Sequence, residues 1–166
     1  MTQTPSEVLR FRWLDAMLPD VPFDGWTEAT AARAAKQAGL SEGEQALAAP
    51  NGVPDLIDAF FDRAGQAARE ALADQDISAL KTPARVKAGV LAWLAALEPN
   101  REAVRRAAVR GLLPWGAASA VQRTWRIADM VWDEAGDTSE DYNRYSKRGL
   151  LAAVIPPIIM HWLEQP

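Results

Sequence analysis

The amino-acid sequence predicts an all-α protein, a bundle of about eight helices joined by short links. Every long segment repeats its apolar residues with the ~3.6-residue period of a helix. No segment shows the alternation of apolar and polar residues that is typical of a half-buried strand. The pair Asn51-Gly52, which often marks a β-hairpin, lies beside Pro50 and an alanine run instead of between β-branched segments. Helices therefore account for all the patterned sequence.

Start and stop residues place these helices along the chain. In chain order, we predict them at about 5–17, 27–39, 41–49, 54–74, 82–97, 99–111, 115–135 and 139–155. Pro19 ends the first helix. Thr27 is a good N-cap for the second helix, and Gly39 is a good residue to follow its last turn. Ser41 caps the third helix, which ends at Pro50.

The later helices have equally clear limits. Thr82 is predicted to cap the fifth helix, with Pro83 at its first position. Gly136 breaks the seventh helix, and Thr138 or Ser139 is predicted to cap the eighth. The eighth helix then meets Pro156-Pro157, which is expected to kink or end it.

The amino-acid composition limits the kinds of site and function that the protein can have. The chain has 166 residues, no cysteine and one histidine, His161. Disulfides and thiolate metal sites are therefore excluded, and a ferritin-like di-iron site is excluded because it needs Glu-x-x-His twice. There is no glycine-rich phosphate loop, so we predict no enzymatic activity, no metal and no cofactor. No apolar run reaches the ~20 residues of a membrane span, and the first residues lack signal-peptide features. We expect a cytoplasmic protein that makes peripheral contact with the inner membrane.

The segment Ala35-Lys36-Gln37-Ala38-Gly39-Leu40-Ser41 resembles the helix-turn-helix of the TetR family of regulators. That likeness implies a TetR-like bundle. However, the helix after the turn carries Glu42 and Glu44 where the regulators usually carry Lys and Thr. Residues 1–60 hold four basic and nine acidic side chains, a balance of −5. Since Lys and Arg supply most nonspecific affinity for DNA, we expect a degenerate helix-turn-helix that packs but binds no DNA.

The later helices are rich in tryptophan and aliphatic residues, as ligand pockets are. The chain has seven tryptophans. For any single one of these residues an ordinary core position is the simpler interpretation, while the TetR likeness, in which this region holds the ligand cavity, implies an apolar tunnel for the region as a whole. The candidate lipid-binding residues are Val90, Trp93, Leu94, Leu97, Trp115, Trp125, Ile127, Met130, Val131, Leu151 and Val154.

The most informative stretch is residues 137–154, which begin with Asp-Thr-Ser-Glu-Asp-Tyr-Asn-Arg-Tyr-Ser-Lys-Arg-Gly. From the pattern alone, this is a helix start with local ion pairs or a protein-binding patch of Tyr and Arg. Preceded by Trp132 and Ala135-Gly136, the block resembles the signature of the ubiquinone-biosynthesis accessory family often called Coq-nine. Members of that family have the TetR fold but bind lipids.

The resemblance implies a non-enzymatic protein that binds an isoprenoid quinone precursor and presents it to the demethoxyubiquinone hydroxylase. It assigns contact with the hydroxylase to residues on the first turns of the last helix. These are Asp141, Tyr142, Asn143, Arg144, Tyr145, Lys147 and Arg148. Arg144 stands where many relatives carry an aromatic residue, which implies either a weaker apolar contact or a partner with a compensating acid.

We therefore predict a degenerate helix-turn-helix subdomain at 1–52 and a ligand-binding bundle at 53–166, in a chain that forms a homodimer. Family members usually continue through an amphipathic membrane-binding helix, so a chain that ends at Pro166 is expected to be a truncated or short relative. Two alternatives remain. One is a TetR-type ligand-responsive transcriptional regulator, and the other is a helical interaction module with a solid core.

Overall fold

The computed structural model describes residues 2–166, apart from the side chains of Pro114 and Trp115. The predicted lipid contact of the Trp115 side chain therefore lies outside the described part. A short 3₁₀ helix, Glu98–Asn100, precedes the seventh α-helix. The α-helices are α1 Pro5–Met17, α2 Val21–Asp24, α3 Glu28–Gln37, α4 Glu42–Ala48, α5 Val53–Ala73, α6 Thr82–Leu97, α7 Arg101–Gly111, α8 Pro114–Glu134 and α9 Tyr142–Glu164. No strand occurs within residues 2–166, so the all-α prediction is confirmed.

The helices form two compact units. The first comprises the residues up to Asp62 together with Asn100–Ser119, and the second comprises Arg63–Pro99 together with Ala120–Pro166. This division differs from the predicted one at residue 52, because α7 packs with the N-terminal helices. The Trp26 indole Nε1 donates a 2.9 Å hydrogen bond to the Ala103 carbonyl, and Arg110 donates a 3.1 Å bond to the Trp26 carbonyl. These side-chain bonds could not be read from sequence periodicity.

Within the first unit, α1 packs on α3 and α4 around buried Leu14 and Met17. The two caps predicted in this unit, Thr27 and Ser41, are confirmed. The Thr27 side chain accepts a hydrogen bond from a backbone N–H of α3, and Ser41 forms a reciprocal capping box with Glu44. Gly39 has a φ of +70°, a conformation that glycine adopts without a steric penalty. The tight turn from α3 to α4 follows from these local choices.

Several helix ends differ from prediction. The short helix α2 was not predicted, because a proline usually marks a break in a helix. Pro22 is tolerated here since it lies at an early position of α2, where its missing N–H would have no partner within the helix. Lys81 rather than Thr82 occupies the N-cap of α6. Asp141, not Thr138 or Ser139, caps α9 by accepting a hydrogen bond from the Asn143 N–H at 3.1 Å.

The helix α9 continues through Pro156 and Pro157 to Glu164. The pair was expected to kink or end the helix; it does not end it, and a kink stays a prediction. Both prolines are exposed to solvent, so water can reach the carbonyls whose helical donors they remove.

The core of the second unit contains closely spaced helices. A Cβ added at Gly89 of α6 would lie 3.1 Å from Val131 Cγ1 on α8, and one added at Gly65 of α5 would lie 3.8 Å from Met130 Cε. Glycine therefore lets α5 and α6 approach α8 closely. None of the helices in the described chain is long and apolar enough to cross a membrane.

Candidate functional site

The site begins where α8 ends. Gly136 has a φ of +82°, and the Asp137 N–H donates a 3.0 Å hydrogen bond back to the Trp132 carbonyl. This is the geometry of a glycine-terminated helix that satisfies its last carbonyls locally. The turn carries the Asp137 carboxylate back toward α9.

Arg148 of α9 lies at the centre of an ion-pair cluster with three aspartates. Its Nε donates to Asp129 at 2.5 Å, its Nη1 to Asp137 at 2.7 Å and its Nη2 to Asp133 at 2.8 Å. Only 1% of the Arg148 side chain and 5% of the Asp137 side chain are exposed, whereas Asp129 and Asp133 are partly open to solvent. The planar guanidinium fork serves three carboxylates at once, a task for which arginine is suited and lysine is not.

Two further cations complete this cluster. The Lys147 Nζ donates to Asp137 at 2.8 Å and to the Ser139 hydroxyl at 2.9 Å, and it lies 5.4 Å from the centroid of the Trp132 ring. Arg144 donates to Asp129 at 3.3 Å. The Trp132 indole in turn donates to the Lys147 carbonyl at 3.1 Å. Three cations thus face three carboxylates, and the cluster is neutral.

The cluster shifts the ionisation of its buried members. Hydrogen bonds from Lys147 and then from Arg148 hold the pKa of the Asp137 carboxyl far below its usual range, although burial acts in the opposite direction. Burial lowers the pKa of the Arg148 guanidinium, but its hydrogen bonds to Asp137, Asp129 and Asp133 outweigh that effect and raise it. Both side chains are therefore charged at neutral pH.

The lowered pKa of Asp137 predicts an acid-sensitive fold. A carboxyl whose pKa is lower in the folded than in the unfolded state stabilises the protein above its usual pKa of ~3.9, and that contribution is lost as the pH falls below this value. We expect Asp137→Asn to be less stable than the parent at neutral pH, and the difference to shrink as the pH falls from about 5 to about 3. Urea denaturation at a series of pH values measures this, and a constant difference would contradict it.

The predicted partner residues fall into two groups. Tyr142 and Tyr145 are 81% and 62% exposed and form what we call the tyrosine face. Asp141 and Asn143 are exposed beside it. In contrast, Arg148 was expected on the same surface, and its burial corrects that expectation, since the guanidinium is enclosed by carboxylates and turned away from solvent.

The remaining two predicted partner residues, Arg144 and Lys147, are partly exposed and pair with carboxylates of the cluster. They can present only part of their side chains to another molecule. The structure therefore brings the predicted set together on one helix start, but it divides the set into exposed aromatic residues and cations that hold the helix in place.

The predicted lipid-binding residues also divide by exposure. Trp125 and Val154 are exposed, and Leu151 is half-buried. A Cβ added at Gly149 would lie 3.8 Å from the Trp125 ring, so α8 and α9 approach closely there. The others are buried in the second unit; they are Val90, Trp93, Leu94, Leu97, Ile127, Met130 and Val131. Their contact with a lipid stays a prediction.

The three aspartates of the cluster were missed as site residues. Helical period places Asp129 and Asp133 on one polar line with Arg123 and Arg126, which is typical of a solvated edge, but Arg123 is buried. The spacing offered a signal, because Asp129 and Asp133 lie one turn apart on α8 and Asp137 follows four residues later, just after the helix ends. Like charges at this spacing are unfavourable on an isolated helix and indicate a cation supplied by another element.

Comparison with known proteins identifies relatives of this chain. A family model described as COQ9 matches residues 117–166, which include α9 and the whole ion-pair cluster. The mitochondrial ubiquinone biosynthesis protein COQ9 of Homo sapiens is 30% identical over 156 residues, which cover 90% of this chain and 49% of the human protein. The protein of the same name from Rattus norvegicus is 28% identical over 156 residues, covering 90% of this chain and 50% of its own length. The chain thus spans about half the length of the curated relatives it matches.

Proposed function

The chain belongs to the COQ9 family, and from that premise we propose that it is a non-enzymatic accessory protein of ubiquinone biosynthesis. In this proposal it binds an isoprenoid quinone precursor and presents it to the demethoxyubiquinone hydroxylase. One observation supports the hydroxylase contact above all. Tyr142 and Tyr145 are exposed on a helix start that an ion-pair cluster centred on buried Arg148 and Asp137 fixes in place.

Exposed tyrosines on a rigid element suit a protein contact. Tyrosine offers a large apolar ring and a hydroxyl while losing little conformational entropy, and it is enriched among residues that dominate binding energy. The hydrogen bonds of Arg148 and Lys147 to Asp137 join α9 to the turn that follows α8. The tyrosine face is therefore presented in a defined orientation before any partner arrives, which lowers the entropic cost of association.

In this proposal, the apolar helices of the second unit bind the lipid. A long isoprenoid chain needs an apolar channel and no reacting group. A channel lined by methionine and tryptophan suits an isoprenoid chain, because methionine adapts to irregular shapes and tryptophan offers a large apolar surface. Met130 and Trp93 are buried in this unit, and Trp125 is 38% exposed.

Substitution of the tyrosine face tests the hydroxylase contact. We expect Tyr145→Lys to weaken binding of purified hydroxylase by about tenfold or more, while the melting temperature barely changes because the side chain is exposed. Surface plasmon resonance measures the affinity. Leu91→Lys is the matched control, since Leu91 is 54% exposed on α6 and should leave binding unchanged. Equal affinities for the two variants would show that Tyr145 makes no contact. Uptake of an isoprenoid quinone by delipidated protein, read by native mass spectrometry, tests the lipid half separately.

The alternative of a DNA-binding regulator has less support. The helix α4, in the position of a recognition helix, carries Glu42 and Glu44 and no Lys or Arg. The Glu44 carboxylate accepts a hydrogen bond from the Ser41 N–H at 3.2 Å and lies 3.7 Å from Arg12. Its role in the capping box lowers the pKa of Glu44 and keeps the side chain charged. A negative helix of this kind is repelled by phosphates.

A further inference from the structure

The corner between α7 and α8, in the first unit, projects aliphatic side chains into solvent. Leu112 is 82% exposed, Val109 is 56% exposed and Leu113 is 37% exposed. These three residues, called here the leucine tip, follow each other closely in sequence and have no role in the proposed lipid or hydroxylase contacts. Isolated exposed leucines are common, but adjacent ones at a helix corner indicate a contact surface.

The backbone of the leucine tip is fully organised. The Leu112 N–H donates to the Val109 carbonyl and the Leu113 N–H to the Arg110 carbonyl, both at 3.1 Å. On the other side of the corner, the Gly116 N–H donates to the Leu113 carbonyl at 2.9 Å. A Cβ at Gly116 would lie only 2.2 Å from the Arg110 carbonyl oxygen, so glycine permits this sharp turn. A tip whose backbone donors are already satisfied can enter an apolar medium at low cost.

Arginines precede the tip along α7. Residues 101–113 contain four arginines and one acid, Glu102. Arg105 and Arg106 bind Glu102 and keep more than two-fifths of their side-chain surface exposed. Arg105, Val109 and Leu112 lie on the outward face of α7, with the cation first and the apolar residues last. From Arg105 to Leu112 the helix rises about 10 Å.

We propose that the leucine tip inserts into the interface of an anionic phospholipid bilayer. The ~10 Å between Arg105 and Leu112 matches the depth of roughly 5–10 Å to which apolar groups enter a bilayer interface, with arginines at the level of the phosphates. The net charge of α7 complements anionic headgroups. Three aliphatic side chains are too few for a stable protein interface, which takes roughly 800 Å² from each partner. This inference is independent of the hydroxylase contact.

Vesicle flotation of the whole chain tests the proposal. We expect the protein to float with vesicles of phosphatidylcholine containing about one-third phosphatidylglycerol, to float far less with phosphatidylcholine alone, and to be released by salt. Leu112→Ser should reduce partitioning by about tenfold. Arg105→Gln should reduce the preference for anionic vesicles. Val8→Ser is the matched control, because Val8 is 48% exposed on α1 of the same unit, and it should float like the parent.

Two results would overturn the proposal. The first is parental flotation of Leu112→Ser, and the second is equal binding to neutral and anionic vesicles. If the first comes with a change in the sedimentation of Leu112→Ser, the tip contacts a second protein chain instead. Thermal melting of each variant checks that the fold is retained, as expected for exposed positions.

Discussion

Replacing Arg148 with methionine is expected to lower the free energy of unfolding by about 3 kcal/mol, or the melting temperature by about 6–12 °C. Methionine fills a similar volume, so the loss measures the charge and its hydrogen bonds and not a cavity. The variant leaves three carboxylates facing one another, of which Asp137 is almost wholly buried. Asp129 and Asp133 are partly hydrated, which keeps the loss below that of a fully buried triad.

Arg144→Met is the control for this change. It removes the same functional group from the same helix, but Arg144 is more than one-third exposed and makes one 3.3 Å contact with Asp129. Exposed pairs of this kind contribute about 0–1 kcal/mol. Arg148→Lys should recover only part of the free energy of unfolding lost in Arg148→Met, because an ammonium group cannot donate to three carboxylates with the planar geometry of a guanidinium. Equal melting temperatures for Arg148→Met and Arg144→Met would refute a structural role for the cluster.

The second large effect is expected at Trp93, which is only 1% exposed on α6. Trp93→Ala should destabilise the protein by about 3–5 kcal/mol, because it removes a large buried ring and leaves a cavity. Trp125→Ala, at a tryptophan that is 38% exposed on α8, should cost less, about 1–2 kcal/mol. Urea denaturation of the two variants measures the contrast. Similar losses would mean that Trp93 is not a core residue.

The same pair separates packing from ligand contact. Both tryptophans were predicted to bind lipid, but removal of Trp125, which is partly exposed, should disturb packing less than removal of Trp93. We expect Trp125→Ala to fold normally and to take up less isoprenoid lipid than the parent. Unchanged uptake would exclude Trp125 from the lipid site, while leaving the packing role of Trp93 untouched.

The sequence predicted those parts of the fold that depend on local chemistry. Thr27 and Ser41 are caps because a short side-chain oxygen reaches a nearby N–H, and Gly39 ends α3 because glycine tolerates a positive φ. Such interactions span three or four residues and are visible in a pattern. The cap of α9 shows where such local patterns fail. Asp141 caps this helix, whereas the Ser139 hydroxyl donates its hydrogen bond to Asp137.

The candidate site was predictable only in part, because its key contacts join distant segments. The tyrosines were recognised from the composition of the helix start and from family resemblance. The burial of Arg148 depends on Asp129, which is 19 residues away in the chain. An arginine near a helix start is usually solvated, and only the packing of α9 against α8 encloses this one. Periodicity predicts which face of a single helix is apolar, whereas the burial of a charge depends on how two helices pack together.

The proline pair within α9 has a consequence for motion. Proline lacks an amide hydrogen, so residues 156 and 157 donate no backbone hydrogen bonds within α9. The segment before them is anchored by Arg148, and the segment after them by the Trp162 indole, which donates to the Glu98 carboxylate at 2.9 Å. The last turns of α9 are therefore held by their own contacts and not by hydrogen bonds donated by residues 156 and 157, so they can open as a separate cooperative unit. Hydrogen–deuterium exchange beyond residue 157 should then rise in a Trp162→Phe variant, while protection around Arg148 and beside the tyrosine face stays unchanged.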